Sequence, residues 1–341
     1  MTILVTGGAG YIGGHMTLGL LDAGESVVVL DDLSTGFAWA VPPEAKLVVG
    51  DFGDAALVAS LIREYSIDAV AHFAAKIVVP ESVADPLTYY LNNASKARNL
   101  IECAVHGGVE HFIFSSTAAV YGEPDVNPVF ETAPLRPINP YGRSKFMVEW
   151  MLADVAAAHS LRYVALRYFN VAGADPQGRL GQSTPAATHL IKVASQTALG
   201  QRAGLDLFGT DYPTPDGTCV RDYIQVSDLI EAHLLALRHL RAGGESLALN
   251  CGYGFGFSVL EVIEVVKQVS GVDFEVRLKE RRPGDPASLV AGAERIRSEF
   301  GWVPKHNDLR EIVRQALDWE RRLVERKAAE PQQRVDLRLS T

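Results

Sequence analysis

Five of the first fourteen residues of this 341-residue chain are glycines, and they directly follow a short apolar run. The run Thr2–Thr6 (TILVT) has the β-branched character of a strand, and residues 12–23 have the pattern of a helix. Glycines 7, 10 and 13 therefore lie in a strand-to-helix turn. Such a turn needs residues without a Cβ for a sharp reversal, for close backbone approach to a ligand and for tight helix packing. A strand, a glycine turn and a helix in this order favour an α/β fold, although an ordinary strand-to-helix turn has the same pattern.

Short apolar strands alternate with helical segments as far as about residue 170. After the first strand, the candidate strands are SVVVLD, KLVVGD, IDAVAHFAA, VEHFIFSS and LRYVALRYF. Continuous apolar strands separated by helices are typical of a parallel sheet covered on both faces. We therefore predict a Rossmann-type, doubly wound parallel sheet. The looser pattern that follows predicts a smaller, irregular α/β C-terminal substrate domain.

One acidic residue makes the glycine turn more specific. Asp31 ends the second strand, eighteen residues after Gly13. A carboxylate there is placed to accept both ribose hydroxyls of an adenosine and to repel a 2′-phosphate. The first helix would offer its N-terminal N–H groups to a pyrophosphate. The turn thus predicts a bound dinucleotide, NAD rather than NADP.

Domain boundaries follow from where the alternation stops. Residues 1–170 are predicted to form the NAD-binding domain, with 222–251 returning to it. Residues 171–221 and 252–326 are predicted to form the substrate domain. The last stretch, 327–341, has no clear pattern and is expected to be a loose tail.

Composition excludes several classes of protein. The formal net charge of −9 does not favour binding to nucleic acid. No apolar run approaches the roughly 20 residues of a membrane helix. The three cysteines, Cys103, Cys219 and Cys251, are far apart and form neither a disulfide framework nor a metal-binding pattern. With no leader-like N-terminus, a cytoplasmic location is expected.

A candidate catalytic pair lies in the sequence NPYGRSK. Asn139 suits a helix cap and Pro140 a first helical turn, so Tyr141 and Lys145 would share one face of a helix. The Lys145 ammonium is expected to lower the pKa of the Tyr141 phenol from its usual ~10. That change suits proton transfer. Thr117, at the end of the fifth strand, is expected to hydrogen-bond the substrate hydroxyl that loses its proton.

The chain up to about residue 325 resembles the UDP-glucose 4-epimerase family of the extended short-chain dehydrogenase/reductase superfamily. The motifs that carry the resemblance include VTGGAGYIG, HFAAKIVVPESV, FSSTAAVYG, INPYGRSK, LRYFNVAGAD, LFGTDYPTPDGTCVRDYI and RRPGD. The resemblance implies an isomerase with tightly bound NAD that is regenerated in each turnover. Carbon 4 of a UDP-sugar is oxidised, the ketone rotates, and the hydride returns to its other face. A homodimer is implied through helices near 90–106 and 140–158.

The resemblance also implies contact residues for both ligands, and no metal. For NAD these are Gly7, Gly10, Tyr11, Ile12, Gly13, Asp31, Asp51, Phe52, Phe73, Ala74, Asn92, Ser115, Tyr141, Lys145 and Tyr168. For the UDP-sugar they are Thr117, Tyr141, Asn170, His189, Leu190, Arg221, Arg282, Asp285 and Leu289. Leu289 stands at the substrate gate, where tyrosine or a small residue is usual. Lys192 stands where proline is usual.

Other activities remain as alternatives. A 4,6-dehydratase would have an Asp-Glu pair after Thr117, where this chain has Ala118 and Ala119, and a decarboxylase would usually have glutamate at 119. A plain dehydrogenase would exchange its cofactor. A non-catalytic NAD-binding regulator would typically have lost Tyr141 or Lys145. Pentose, uronate and N-acetylated UDP-sugars remain open as substrates.

Overall fold

The computed structural model describes residues 1–184, 187–282 and 285–339. The strands are β1 Thr2–Thr6, β2 Ser26–Asp31, β3 Lys46–Val49, β4 Ile67–His72, β5 His111–Thr117, β6 Arg162–Tyr168, β7 Asn170–Ala172, β8 Leu205–Phe208, β9 Val220–Arg221, β10 Tyr223–Gln225, β11 Leu247–Cys251, β12 Phe257–Ser258, β13 Val276–Lys279 and β14 Ser288–Leu289. The α-helices are α1 Tyr11–Asp22, α2 Ala55–Glu64, α3 Val79–Ala84, α4 Pro86–Tyr89, α5 Lys96–His106, α6 Pro140–Ala158, α7 Leu190–Ala198, α8 Val226–Arg241, α9 Val259–Ser270, α10 Glu294–Phe300 and α11 Leu309–Leu339.

A seven-stranded parallel sheet forms the centre of the molecule, in the order β11-β6-β5-β4-β1-β2-β3. The chain winds outward from β1 in both directions, so β1 and β4 flank the point where the strand order reverses. Ligands of open parallel sheets bind in the crevice at the carboxyl ends of strands beside such a point. The predicted doubly wound fold is confirmed.

The apolar strands bury side chains on both faces of this sheet. In β1, Ile3 and Val5 join a core that includes residues of α1 and α8. Leu4 points to the opposite face, into a core that includes residues of α2, α5 and α6. Side chains alternate across a strand, so a strand buried on both sides reads as a continuous apolar run.

Three small sheets carry the irregular remainder. β7 pairs with β10, β8 pairs with β13, and β9 lies between β12 and β14. In the sequence, β11 comes after β7 to β10 and before β12 to β14, yet it pairs with β6 at the edge of the large sheet. The chain therefore crosses between the large sheet and the small ones more than once.

The C-terminal segment differs from the sequence prediction. Residues 327–339, expected as a loose tail, continue the backbone of α11. Lysine, alanine, glutamine, arginine and leucine in this stretch favour helix, whereas Pro331 disfavours it. Among the described residues, no helix has the length and apolar character needed to cross a membrane.

Candidate active site

The glycine turn is held in a conformation that side chains would block. Gly7 has φ +73°, and a Cβ there would lie 2.6 Å from the backbone nitrogen of Ala74. A Cβ at Gly13 would lie 2.2 Å from the Gly7 carbonyl oxygen, so α1 packs directly on the turn. At Gly10, the corresponding contact is a milder 3.3 Å. The turn therefore requires glycine at positions 7 and 13. Gly10 leaves the outer side of the turn without a side chain.

Asp31 does more than the sequence predicted. Its two carboxylate oxygens accept 2.9 Å hydrogen bonds from the backbone N–H groups of Ala9 and Leu33. The carboxylate thereby ties the glycine turn to the end of β2. Burial raises the pKa of Asp31, and these two hydrogen bonds oppose the rise. The predicted ribose acceptor is thus also a support of the turn.

Four of the other predicted cofactor residues of the first half follow the strands β3 and β4. Phe73 and Ala74 follow β4 and both donate backbone N–H groups to the Thr6 carbonyl, which places them against the glycine turn. Asp51 pairs with Lys96 at 2.6 Å, and the adjacent Phe52 ring is buried. Tyr11 and Ile12 lie in the first turn of α1, and Asn92 lies in a π-helical turn.

The predicted catalytic pair occupies the first turns of α6. Asn139 caps this helix by accepting a 2.8 Å hydrogen bond from the Gly142 N–H. Tyr141 and Lys145 lie on the same face, as their spacing predicted. The buried Lys145 donates through Nζ to the carbonyl of Ser115, at 2.8 Å. Lys145 thereby joins α6 to the end of β5.

The electrostatics of this pair differ from the sequence expectation. Burial lowers the pKa of Lys145 to about 7. Burial raises the pKa of Tyr141, and a hydrogen bond with Thr117 opposes that rise. The hydrogen bond with Thr117 therefore favours the phenolate of Tyr141, and the Lys145 ammonium donates to the Ser115 carbonyl.

Further hydroxyl groups surround the pair. Thr117 ends β5 and caps the 3₁₀ turn Ala118–Val120, accepting a hydrogen bond from the Ala119 N–H at 3.1 Å. The Ser115 hydroxyl contacts the hydroxyl of Tyr168, at the end of the neighbouring strand β6. The structure thus brings Ser115, Thr117, Tyr141 and Lys145 together at one end of the sheet, with Tyr168 beside them.

The predicted nucleotide residues fall into two groups. Arg221, in β9, pairs with Asp285 at 3.0 Å. β14 lies alongside β9 and sets Leu289 opposite Arg221. The guanidinium of Arg282 lies 3.8 Å from the centre of the Phe208 ring. Arg221 lies 64 residues before Asp285, and the pairing of β9 with β14 brings it beside the segment that carries the other three residues.

The second group consists of Asn170, His189 and Leu190, which line one cleft. Lys192 and Glu320 also line it and form a buried ion pair between α7 and α11. In the sequence, Lys192 differs from the proline that is usual at this position, and no pattern there predicts a role for it. Nothing in the sequence marked Glu320, because its partner is 128 residues away.

The residues present fit a dinucleotide. The glycine turn leaves a low surface, and among the described residues no side chain caps α1, so its first N–H groups suit a pyrophosphate. Asp31 ends the adjacent strand. No cluster of three or more potential metal ligands occurs among the described residues.

Comparison with known proteins agrees with this geometry. Residues 3–252 match the NAD dependent epimerase/dehydratase family. The chain is 59% identical over 321 residues to UDP-glucose 4-epimerase of Azospirillum brasilense, an alignment covering 94% of this chain and 92% of that protein. It resembles the crystal structure of UDP-glucose 4-epimerase from Brucella ovis in complex with NAD (TM-score 0.90, 44% identity, 93% and 97% coverage). It also resembles the UDP-Glc/GlcNAc 4-epimerase from Campylobacter jejuni (TM-score 0.83, 50% identity, 94% and 99% coverage).

Proposed function

This chain belongs to the NAD-dependent epimerase/dehydratase family, and we propose that it interconverts UDP-glucose and UDP-galactose with a resident NAD. The observation that carries the proposal is the meeting of Thr117, Tyr141 and Lys145 at the sheet end that also bears the glycine turn. A hydroxyl, a phenol and an amine in one buried place suit removal of a proton from an alcohol. The relatives' shared activity supports UDP-hexoses as the substrates.

In this mechanism, Tyr141 takes the proton from the 4-hydroxyl of the sugar and gives it back after the ketone has rotated. Thr117 hydrogen-bonds the same oxygen and holds it toward the phenol. Lys145 holds the end of β5 and the start of α6 together through the Ser115 carbonyl. When bound, NAD supplies the site that accepts a hydride from carbon 4 and returns it.

The nucleotide would occupy the small sheets and the cleft. Arg221 and Arg282 would bind the diphosphate, since guanidinium groups suit phosphate oxygens. Asp285 would accept the hydroxyls of the uridine ribose. In the second group, the Asn170 amide would reach the pyrophosphate, and His189 and Leu190 would lie beside the nucleotide.

One experiment separates an epimerase from the alternatives. The purified protein is incubated with UDP-galactose without added NAD, and UDP-glucose is measured. Many turnovers without added cofactor are expected. Consumption of one equivalent of UDP-galactose that leaves reduced NAD and an oxidised sugar, without UDP-glucose, would indicate a dehydrogenase. No consumption of UDP-galactose at all would leave only a binding role.

Asp31 provides a test of cofactor retention. Asp31→Ala removes the predicted ribose acceptor and the two hydrogen bonds that support the glycine turn. Hydrogen bonds to a charged group contribute about 1.5–3 kcal/mol each, so NAD retention should weaken at least tenfold. Cofactor released on denaturation is measured after dialysis. Asp32→Ala, which removes the neighbouring exposed carboxylate, is the control, and equal NAD content in both variants would contradict the role.

Leu289 is proposed to limit the size of the sugar. It lies opposite Arg221 and packs against the cluster of Val120, Tyr121 and Val129 that follows Thr117. These contacts support a position of Leu289 beside the space between the proposed phosphate site and the reacting carbon. Adding atoms to a packed pocket costs about 1–3 kcal/mol, so UDP-N-acetylhexosamines should be poor substrates.

Leu289→Ala should therefore raise kcat/KM for UDP-N-acetylglucosamine relative to UDP-glucose, by about ten- to two-hundredfold. Leu135→Ala removes the same atoms from another side of that cluster and is the matched control. If the ratio of the two specificity constants stays constant, Leu289 is only a packing residue. Substantial wild-type activity on the N-acetylated sugar would favour a broader specificity, as the Campylobacter jejuni enzyme's name indicates.

A homodimer in the cytoplasm completes the proposal. The 86–95 segment and α6 pack together and expose large apolar side chains, with Leu87 77%, Leu91 58% and Trp150 58% exposed. A contiguous exposed apolar patch marks an interaction surface. Three buried free cysteines suit a reducing compartment. Sedimentation of wild type and Trp150→Glu should show a dimer only in the former, and two identical profiles would exclude this surface.

A further inference from the structure

A buried hydrogen-bond network of polar side chains lies next to the proposed reaction site. Glu149 lies one helical turn beyond Lys145 on α6, and both its oxygens accept hydrogen bonds from Arg167, at 2.6 Å from Nη2 and 3.0 Å from Nε. The Ser116 hydroxyl donates to the same carboxylate. The three side chains are at most 6% exposed. Helix α6 is therefore fastened to both β5 and β6 through one carboxylate.

The hydrogen-bond network continues through Tyr121. Arg167 donates through Nη1 to the Tyr121 hydroxyl at 3.0 Å, and this hydroxyl donates to Oδ1 of Asn250 at 2.7 Å. Asn250 in turn donates to the carbonyl of Val129 at 2.8 Å. Val129 exchanges backbone hydrogen bonds with the segment that directly follows Leu289. The network thus extends from the catalytic helix to the proposed sugar gate.

Thr117 lies between the two attachments of this network. Ser116 precedes it and is bound to Glu149, and Tyr121 ends the 3₁₀ turn that follows it. The turn that carries the Thr117 hydroxyl is therefore fixed at both ends. Glu149 lies on the same helix as Tyr141. One buried carboxylate therefore connects the strand end that carries Thr117 to the helix that carries Tyr141.

We propose that Tyr121, Arg167 and Glu149 are positioning residues that set the Thr117 hydroxyl against the Tyr141 phenol. This inference rests on the proposed function for its kinetic consequences. A contribution to stability does not by itself explain the Arg167–Glu149 ion pair, because apolar residues in place of a buried ion pair often give an equally stable protein. Directional hydrogen bonds to a charged pair instead define one geometry.

Tyr121→Phe tests this, because it removes one oxygen and keeps the ring. We expect kcat to fall about ten- to hundredfold, as a displacement of about 1 Å would cause, with KM and NAD content unchanged. Tyr163→Phe is the control: this ring is also buried beside β6, and in the described part of the chain no hydrogen bond involves its hydroxyl. If Tyr121→Phe does not fold, Ser116→Ala removes the other attachment and should give the same pattern.

A double-mutant cycle separates positioning from a general structural effect. In a Thr117→Val background, Tyr121→Phe should lower kcat little further, because the hydroxyl that it positions is already absent. An equal fold-loss in both backgrounds would overturn the proposal. Parallel losses of kcat, NAD content and thermal stability would also overturn it.

A titration makes the proposal independent of the substrate. Tyrosinate absorbance is compared with and without Tyr141→Phe, which isolates the Tyr141 phenol, in wild type and in Tyr121→Phe. Loss of the Thr117 contact should raise the Tyr141 pKa, because that hydrogen bond favours the phenolate. An unchanged value would refute the network's role. If wild type fails to epimerise UDP-glucose, the proposed function fails, and this titration still decides the network.

Discussion

Replacement of Tyr141 by phenylalanine is expected to lower kcat by about 10²–10⁴-fold, with the fold and NAD content retained. Only one oxygen is lost, at the first turn of a helix whose Asn139 cap does not involve it. The phenol that hydrogen-bonds Thr117 is the proposed proton acceptor, and phenylalanine has no group to replace it. Formation of UDP-glucose from UDP-galactose under saturating substrate is the measurement.

Tyr89→Phe is the matched control for this variant. Tyr89 is fully buried, and its hydroxyl donates hydrogen bonds to the Val78 carbonyl and to Glu81 rather than to any proposed catalytic residue. Its loss should lower stability and leave kcat near wild type. A Tyr141→Phe enzyme with near wild-type turnover would refute the assignment of the proton acceptor. Equal kcat losses in both variants would show that a buried hydroxyl matters only for structure.

Local motifs made part of the site predictable. The glycine turn, the acid at the end of β2 and the i,i+4 pair on α6 each depend on residues close in sequence, and their geometry follows from strand, turn and helix rules. The structure places Gly7, Gly13 and Tyr141 accordingly. The resemblance to a family extended this to residues such as Arg221, whose pairing with Asp285 no local rule predicts.

The contacts of those residues were not predictable in the same way. Lys145 was expected to act on Tyr141, yet its ammonium bonds a carbonyl thirty residues earlier in the chain. The Arg167–Glu149 pair and its link to Asn250 join strands and helices whose relative positions are set only by the packed sheet. Burial then lowers the pKa of Lys145 and raises that of Tyr141, and no sequence pattern reports these two shifts.

The buried pair between Lys192 and Glu320 should have the largest effect on stability. Both side chains are 4% exposed, and they join α7, whose first turn borders the cleft, to α11. Glu320→Leu removes the carboxylate and leaves the ammonium buried with its remaining partners, among them the Gln182 carbonyl at 2.7 Å. Breaking one side of a buried pair costs about 3–5 kcal/mol in the free energy of unfolding, measured with urea.

The double variant Lys192→Met with Glu320→Leu is the decisive comparison. It removes both charges and fills the space with apolar side chains of similar size, so it should recover most of the stability lost in Glu320→Leu. Recovery would show that the single variant suffers from burial of the Lys192 charge without its carboxylate partner rather than from poor packing of α11. A Glu320→Leu protein within about 1 kcal/mol of wild type would contradict the buried pair. If the double variant is stable and its KM for UDP-glucose rises, the Lys192 ammonium also contributes to the cleft; an unchanged KM would confine the pair to joining the two helices.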